Sequence, residues 1–145
     1  MSNVLVREVA RKLGGPATLG AEIRSQADLA LAVRRRLPLD ALKQLALAGI
    51  SESEIGQFVI PERTRRHRAG RAERLTVEES DRAVRLARIQ TLAETAFDDA
   101  DKANRWLRRP LVELGNEVPL AVAQTDAGAR LIETILGKIA WGAAA

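Results

Sequence analysis

The sequence contains no cysteine, no tyrosine, two phenylalanines, two tryptophans and a single histidine in 145 residues. Without cysteine there is neither a disulfide framework nor a zinc–thiolate site. No apolar run approaches the roughly 18 residues of a membrane span. The opening MSNVLVREVARKLGG lacks the uninterrupted apolar stretch of a secretory signal. The expected address is therefore the cytoplasm. The lone histidine, His67, sits among arginines, and no motif ties it to a nucleophile or a carboxylate. It reads as a polar or cationic contact rather than a catalytic base. Gly14-Gly15 is too short for a phosphate loop, and there is no nucleophile elbow. The acidic clusters Glu78, Glu79, Asp81 and Asp98, Asp99, Asp101 fall at expected helix starts, where negative charge complements the helix dipole. The second also lacks the glycine of a calcium loop. No catalytic residue, metal site or cofactor is expected, and the chain is not read as an enzyme.

What the chain does have is enough apolar residue, 46%, to bury a core, and one concentrated charge feature. Residues 62 to 74 hold arginines 63, 65, 66, 68, 71 and 74 against Glu62 and Glu73, a net of +4. The whole chain nets +4, so the remainder is neutral. A neutral body with one basic strip suits a nucleic-acid contact, although a solvated helix face would read the same way.

Every segment reads as helix, because helix formers dominate and β-branched residues never keep a period of two. The length suits one domain or two small ones. Residues 1–24, interrupted by Gly14, Gly15 and Pro16, are expected to be an irregular or partly disordered arm. Helices follow over about 26–36 and 39–48, the second stopped by Gly49. Ser51-Glu52-Ser53-Glu54 is a capping box that opens a third helix, with Ile55, Phe58 and Val59 on its buried side. Pro61 suits the start of a fourth, which should end with Gly70 as its cap. This arginine-rich helix, preceded by a short helix and a tight turn, makes a plausible helix-turn-helix. Arg63, Thr64, Arg65, Arg66 and Arg68 would then meet phosphates and base edges, for which the planar guanidinium fork is suited.

A second capping box, Thr76-Val77-Glu78-Glu79, starts a helix to about Phe97, supported by the pairs Glu78–Arg82 and Asp81–Arg85. Asp98-Asp99 begins the next helix, which ends by Arg109-Pro110 with Trp106 and Leu107 packed inward. Pro119 starts a short helix. Thr125-Asp126 caps the last one, where Leu131, Ile132, Ile135, Leu136 and Ile139 make one apolar face, and Gly142 should end it. Trp141 has two readings, a seal on the chain's own core or an exposed anchor for a partner.

Four stretches, IPERTRRHR, RLTVEESDRAVRLARIQTLAETAFDD, ANRWLRRPLVELGNEVPL and TDAGARLIETILGKIAWG, taken in this order and spacing, resemble the Xre/MbcA/ParS antitoxins encoded beside RES-domain toxins. The resemblance covers about 50 to 142. It implies an all-α protein with an Xre-like helix-turn-helix over 25–74 that binds the operon's own promoter DNA. A domain over 75–145 would dimerise and bind the toxin. It further implies that the RES toxin consumes NAD and that the last helix and tail block its active site. The toxin-facing residues implied are Leu131, Ile135, Lys138, Ile139, Trp141, Gly142, Ala143, Ala144 and Ala145. Small residues after a tryptophan would suit a narrow pocket. The chain departs from the family pattern twice, with Asn116 in place of a second glycine and Val59 where the turn often has glycine. The other function considered is a helix-turn-helix regulator without a toxin partner.

Overall fold

The computed structural model describes residues 2–144, with side chains described through Gly142. Among these residues there is no strand, only helices and one isolated bridge between Leu111 and Glu117. The chain divides into two compact units, Met1–Ala87 and Arg88–Ala145. The boundary lies inside one long helix, α7 (Val77–Phe97), rather than at 74/75 where the sequence put it.

The first unit opens with a correction. Residues 1–24 are not an irregular arm: α1 (Asn3–Lys12) and α2 (Gly15–Leu19) occupy most of them. Ser2 caps α1 by accepting from the Leu5 N–H at 3.1 Å. Val6, Val9, Ala10 and Leu13 recur at one-face spacing and are all buried. Gly14 takes φ 106°, and a Cβ there would meet the Thr18 side chain at 2.2 Å, so the glycine permits a sharp turn rather than disorder.

Next, α3 (Gln26–Arg34) starts on a Ser25/Asp28 capping box and stops at Arg36, whose φ is 66°. α4 (Asp40–Leu47) buries Ala41, Leu42 and Leu45 and ends before Gly49 at φ 115°. α5 (Glu52–Phe58) starts on the expected Ser51 box, with Glu54 N–H donating to Ser51 Oγ at 3.1 Å and Ser51 N–H to Glu54 Oε1 at 2.9 Å. Pro61 then sits just ahead of α6 (Glu62–Gly70) as its N-cap. Gly70 is the last helical residue rather than the cap. Arg71 caps, and Ala72 supplies the left-handed residue at φ 53°. Val59, where glycine was anticipated, keeps φ −113° and ψ −62°, so the turn never requires the left-handed region.

In the second unit, the last part of α7 is followed by α8 (Ala100–Leu107), α9 (Pro119–Val122) and α10 (Asp126–Ala144), with α9 in contact with both α8 and α10. Leu107 is buried. Trp106 is only half-buried, its ring 5.6 Å from that of Phe97 and inclined by 50°. Asp98 does not begin α8 but turns the chain at φ 52°, and Asp99 caps by accepting from Lys102 N–H at 2.9 Å. Gly115 and Asn116 both sit near φ 65°, a conformation asparagine tolerates. Thr125 Oγ1 accepts from Gly128 N–H at 3.0 Å. A Cβ on Gly128 would lie 1.7 Å from the Val122 carbonyl oxygen, so this position requires glycine. Arg88 pairs with Glu133 at 2.8 Å, tying α7 to α10. Helix α10 continues past Gly142 to Ala144, so Gly142 does not end it. Glycine is a poor helix former, but it costs only about 1 kcal/mol in a helix interior, which flanking alanines tolerate.

Candidate functional site

Two surfaces carry the residues singled out by the sequence. The first is α6. It buries no residue at all, so its placement depends on polar ties rather than on an apolar face. Three ties are visible. Arg65 Nη1 meets Glu52 Oε2 of α5 at 2.6 Å. Arg68 Nη1 pairs with Glu79 Oε1 at the start of α7. Arg82 of α7 donates from Nε and Nη2 to the Val59 carbonyl at 3.2 and 2.8 Å, and so pins the turn between α5 and α6. Arg82 thus works across the turn rather than in the Glu78 pair anticipated for it, whereas Arg85–Asp81 forms at 2.9 Å.

Glu79 is the centre of this arrangement. Its Oε1 accepts from the Thr76 N–H at 2.8 Å, and its own N–H donates to Thr76 Oγ1 at 3.1 Å, completing the second capping box. The same oxygen accepts from Arg68. Burial works to raise the Glu79 pKa, but the bonds from Arg68 and Thr76 and the Arg68 charge outweigh it and hold the carboxyl below its ordinary value.

The five arginine-strip residues named from the sequence are therefore separated into two sets. Arg65 and Arg68 are turned toward the protein, and Thr64 is half-buried beside Arg68. Arg63 and Arg66 are exposed, and Arg66 pairs with Glu62 at 2.8 Å on the surface. His67, left out of the sequence-based set, lies on the same outward face as Arg63, four residues on, and is exposed. Its i,i+4 spacing from Arg63 was the available signal.

The second surface is on α10. Ile132 and Leu136 are buried, and Ala129 with them. Leu131 is not part of that buried face: it is 47% exposed. Leu131, Ile135, Lys138 and Gly142 recur at four- and three-residue steps, which aligns them on one side of the helix. Ile135 and Ile139 are half-buried, and Lys138 and Gly142 exposed. Trp141 is 79% exposed, so it does not seal the core. Ala143 and Ala144 continue the helix, and Ala145 lies outside the described residues.

Charge divides along the same line. Residues 1–87 carry sixteen Lys and Arg against eleven Asp and Glu, a net of +5, and residues 88–145 carry seven against eight, a net of −1. Among the described residues no group of three His, Cys, Asp or Glu could hold a metal ion, and no helix is long and apolar enough to cross a membrane.

Residues 28–88 match the antitoxin Xre-like helix-turn-helix domain, and residues 92–142 match the antitoxin Xre/MbcA/ParS C-terminal toxin-binding domain. Among curated relatives, an antitoxin Xre of Pseudomonas putida is 40% identical over 84 residues, 58% of this chain and 53% of that protein. An antitoxin Xre of Yersinia enterocolitica is 29% identical over 139 residues, 94% of this chain and 90% of its own. One from Photorhabdus laumondii is 34% identical over 70 residues, 48% and 47%. The match thus spans about half the length of the Pseudomonas and Photorhabdus proteins.

Proposed function

We propose, on the premise that the chain carries both domains of the Xre/MbcA/ParS antitoxins in family order, that it neutralises a toxin through its C-terminal unit and binds DNA through its N-terminal unit. The observation that carries this reading is the exposed stripe on α10. Leu131 at 47% and Trp141 at 79% exposure, with the half-buried Ile135 and Ile139, leave apolar surface open to solvent among the described residues. Solvent-facing aromatics flanked by small residues are suited to anchor a partner.

The partner is a RES-domain toxin that consumes NAD, encoded beside this chain. Leu131, Ile135, Lys138, Ile139, Trp141 and Gly142, with Ala143, Ala144 and Ala145 after them, cover its active site. Operator contacts come from the arginine strip. Arg63 and Arg66, joined by His67, meet the DNA. Arg65 and Arg68 hold the helix that presents them, with Thr64 half-buried on the same helix. By binding its operator the chain represses its own operon in the cytoplasm. It has no catalytic role of its own.

The homodimer implied by the family resemblance belongs to the proposal too. An excess of apolar face at Leu86, Ile89, Ile132 and Ile135 would be support independent of the resemblance. That support falls away, because the first three are already buried within one chain. The dimer therefore rests on the resemblance alone.

Co-expression with the product of the adjacent gene tests the toxin reading. That protein should be retained in a pull-down, and its NAD consumption should stop on complex formation. A neighbour that is neither retained nor inhibited rejects it. The second reading, a regulator without a toxin, is favoured by the outward arginine face of α6. It predicts specific DNA binding with no retained partner. In a gel-shift titration, Arg63→Ala with Arg66→Ala should weaken operator binding and flatten its salt dependence. Unchanged affinity removes the DNA role of this helix.

A further inference from the structure

The basic strip is not the only cationic run in the first unit. Arg34, Arg35 and Arg36 close α3, nearly thirty residues before the strip begins. The structure joins the two runs. Arg36 Nε donates to the Leu75 carbonyl at 2.7 Å and its Nη2 to the Arg74 carbonyl at 3.2 Å. In return Arg74 Nη1 donates to the Arg36 carbonyl at 2.9 Å. Leu75 N–H reaches the Leu37 carbonyl at 3.0 Å, and Leu37 N–H reaches Ser80 Oγ at 2.9 Å. Arg36 accepts the left-handed conformation, φ 66°, to make this clasp. Each guanidinium in it is fixed by carbonyl oxygens, which leave its positive charge unneutralised.

Beside the clasp, Arg34 and Arg35 are exposed. Arg35 lines the same small cleft, about 80 Å³, as Arg36 and Arg74. Two carboxylates also line that cleft, Glu22 and Asp28, and both are engaged. Glu22 pairs with Arg24 at 2.6 Å, and Asp28 accepts the backbone N–H groups of Arg24 and Ser25 at 3.0 and 3.2 Å. The remaining positive charge faces solvent at the C-terminal end of α3, next to the segment that leads out of α6.

We propose that Arg34 and Arg35, set against the Arg36–Arg74 clasp, form a second contact to the DNA phosphate backbone, separate from α6 and indifferent to base sequence. This rests on the DNA-binding reading above and extends it. Phosphate contacts release counterions and so set the salt dependence, whereas base contacts set the preference between sequences. The clasp ties the chain beside the arginine pair to the segment that follows α6, so this contact lengthens the footprint without reading it.

The test is a salt titration of binding to two fluorescent duplexes, one from the region upstream of the chain's own gene and one of random sequence and equal length. Arg34→Gln with Arg35→Gln should reduce the slope of log K against log salt by about 2 on both duplexes, near 0.9 per phosphate contact. The loss of affinity between 50 and 200 mM salt should become roughly tenfold smaller, with the ratio between duplexes unchanged. Arg34→Lys with Arg35→Lys should keep the native slope, which separates lost charge from a folding defect. A native slope in the glutamine variant, a loss on the upstream duplex alone, or an equal loss in the lysine variant overturns the proposal. Single-stranded RNA bound as tightly, with the same slope change, reassigns the surface away from duplex DNA. If the unaltered chain binds neither duplex, the DNA-binding reading itself fails and takes this contact with it.

Discussion

Replacing Trp141 with alanine should leave the fold alone and abolish tight partner binding. A tryptophan side chain has roughly 200 Å² to bury, and at 79% exposure about four-fifths of the residue's surface is open in the free chain. Covering about 160 Å² at about 25 cal/mol per Å² is worth near 4 kcal/mol. Ordering costs on association reduce this, so a truncation cost of about 2–4 kcal/mol is expected, the range of an interface hot spot. That corresponds to a roughly 30- to 1000-fold rise in Kd. The free chain should lose no more than about 0.5 kcal/mol of stability, because an exposed side chain removes little packing. Titration calorimetry against the purified adjacent-gene product reads the first quantity, and thermal unfolding by circular dichroism the second. A Kd within threefold of the native value would refute the anchor role. A melting temperature lowered by many degrees would mean that Trp141 packs against the chain's own helices.

Glu79→Gln keeps the cap oxygen for Thr76 but loses the charge opposite Arg68, and should destabilise the first unit by about 1–3 kcal/mol. The Glu79 pKa is lowered on folding, so its contribution is complete above the ordinary glutamate value of 4.5 and is lost as pH falls through the depressed one. Denaturant melts of the two proteins should therefore differ fully at neutral pH and converge as pH falls from about 4.5 through the depressed value, and a gap that does not narrow with acid refutes the ion-pair reading. Gly128→Ala forces a methyl into the Val122 carbonyl, and urea unfolding should show a loss of about 2 kcal/mol or more, whereas Gly137→Ala, in open space, should be neutral or stabilising. Sedimentation at micromolar concentration should give a dimer mass, and a monomer mass would remove the homodimer from the proposal.

Much of the helical order could be read directly from the chain, because the signals for it are local. Ser51/Glu54 and Thr76/Glu79 are three residues apart, and their capping boxes form as spacing alone requires. Gly49, Gly115 and Asn116 mark their left-handed turns, and the net +4 of residues 62–74 marks a basic segment. The stretch TDAGARLIETILGKIAWG is legible as part of the resemblance, but the reason for its Gly128, a carbonyl six residues earlier, is not. What only the tertiary structure decided was the partner of each polar side chain. Arg65, Arg66 and Arg68 look alike along the chain, yet one meets Glu52, one stays on the surface and one meets Glu79. Arg36 and Arg74 find each other across 38 residues. The first 24 residues were misread because Gly14, Gly15 and Pro16 signal a break. Val6, Val9, Ala10 and Leu13 become a helix face only once there is a core to receive them. In α10 the period located a helix but not which of its two apolar stripes was turned inward. Ile132 and Leu136 are covered while Leu131 and Trp141 are not, because burial is fixed by the neighbouring helices, and no local spacing encodes where those lie.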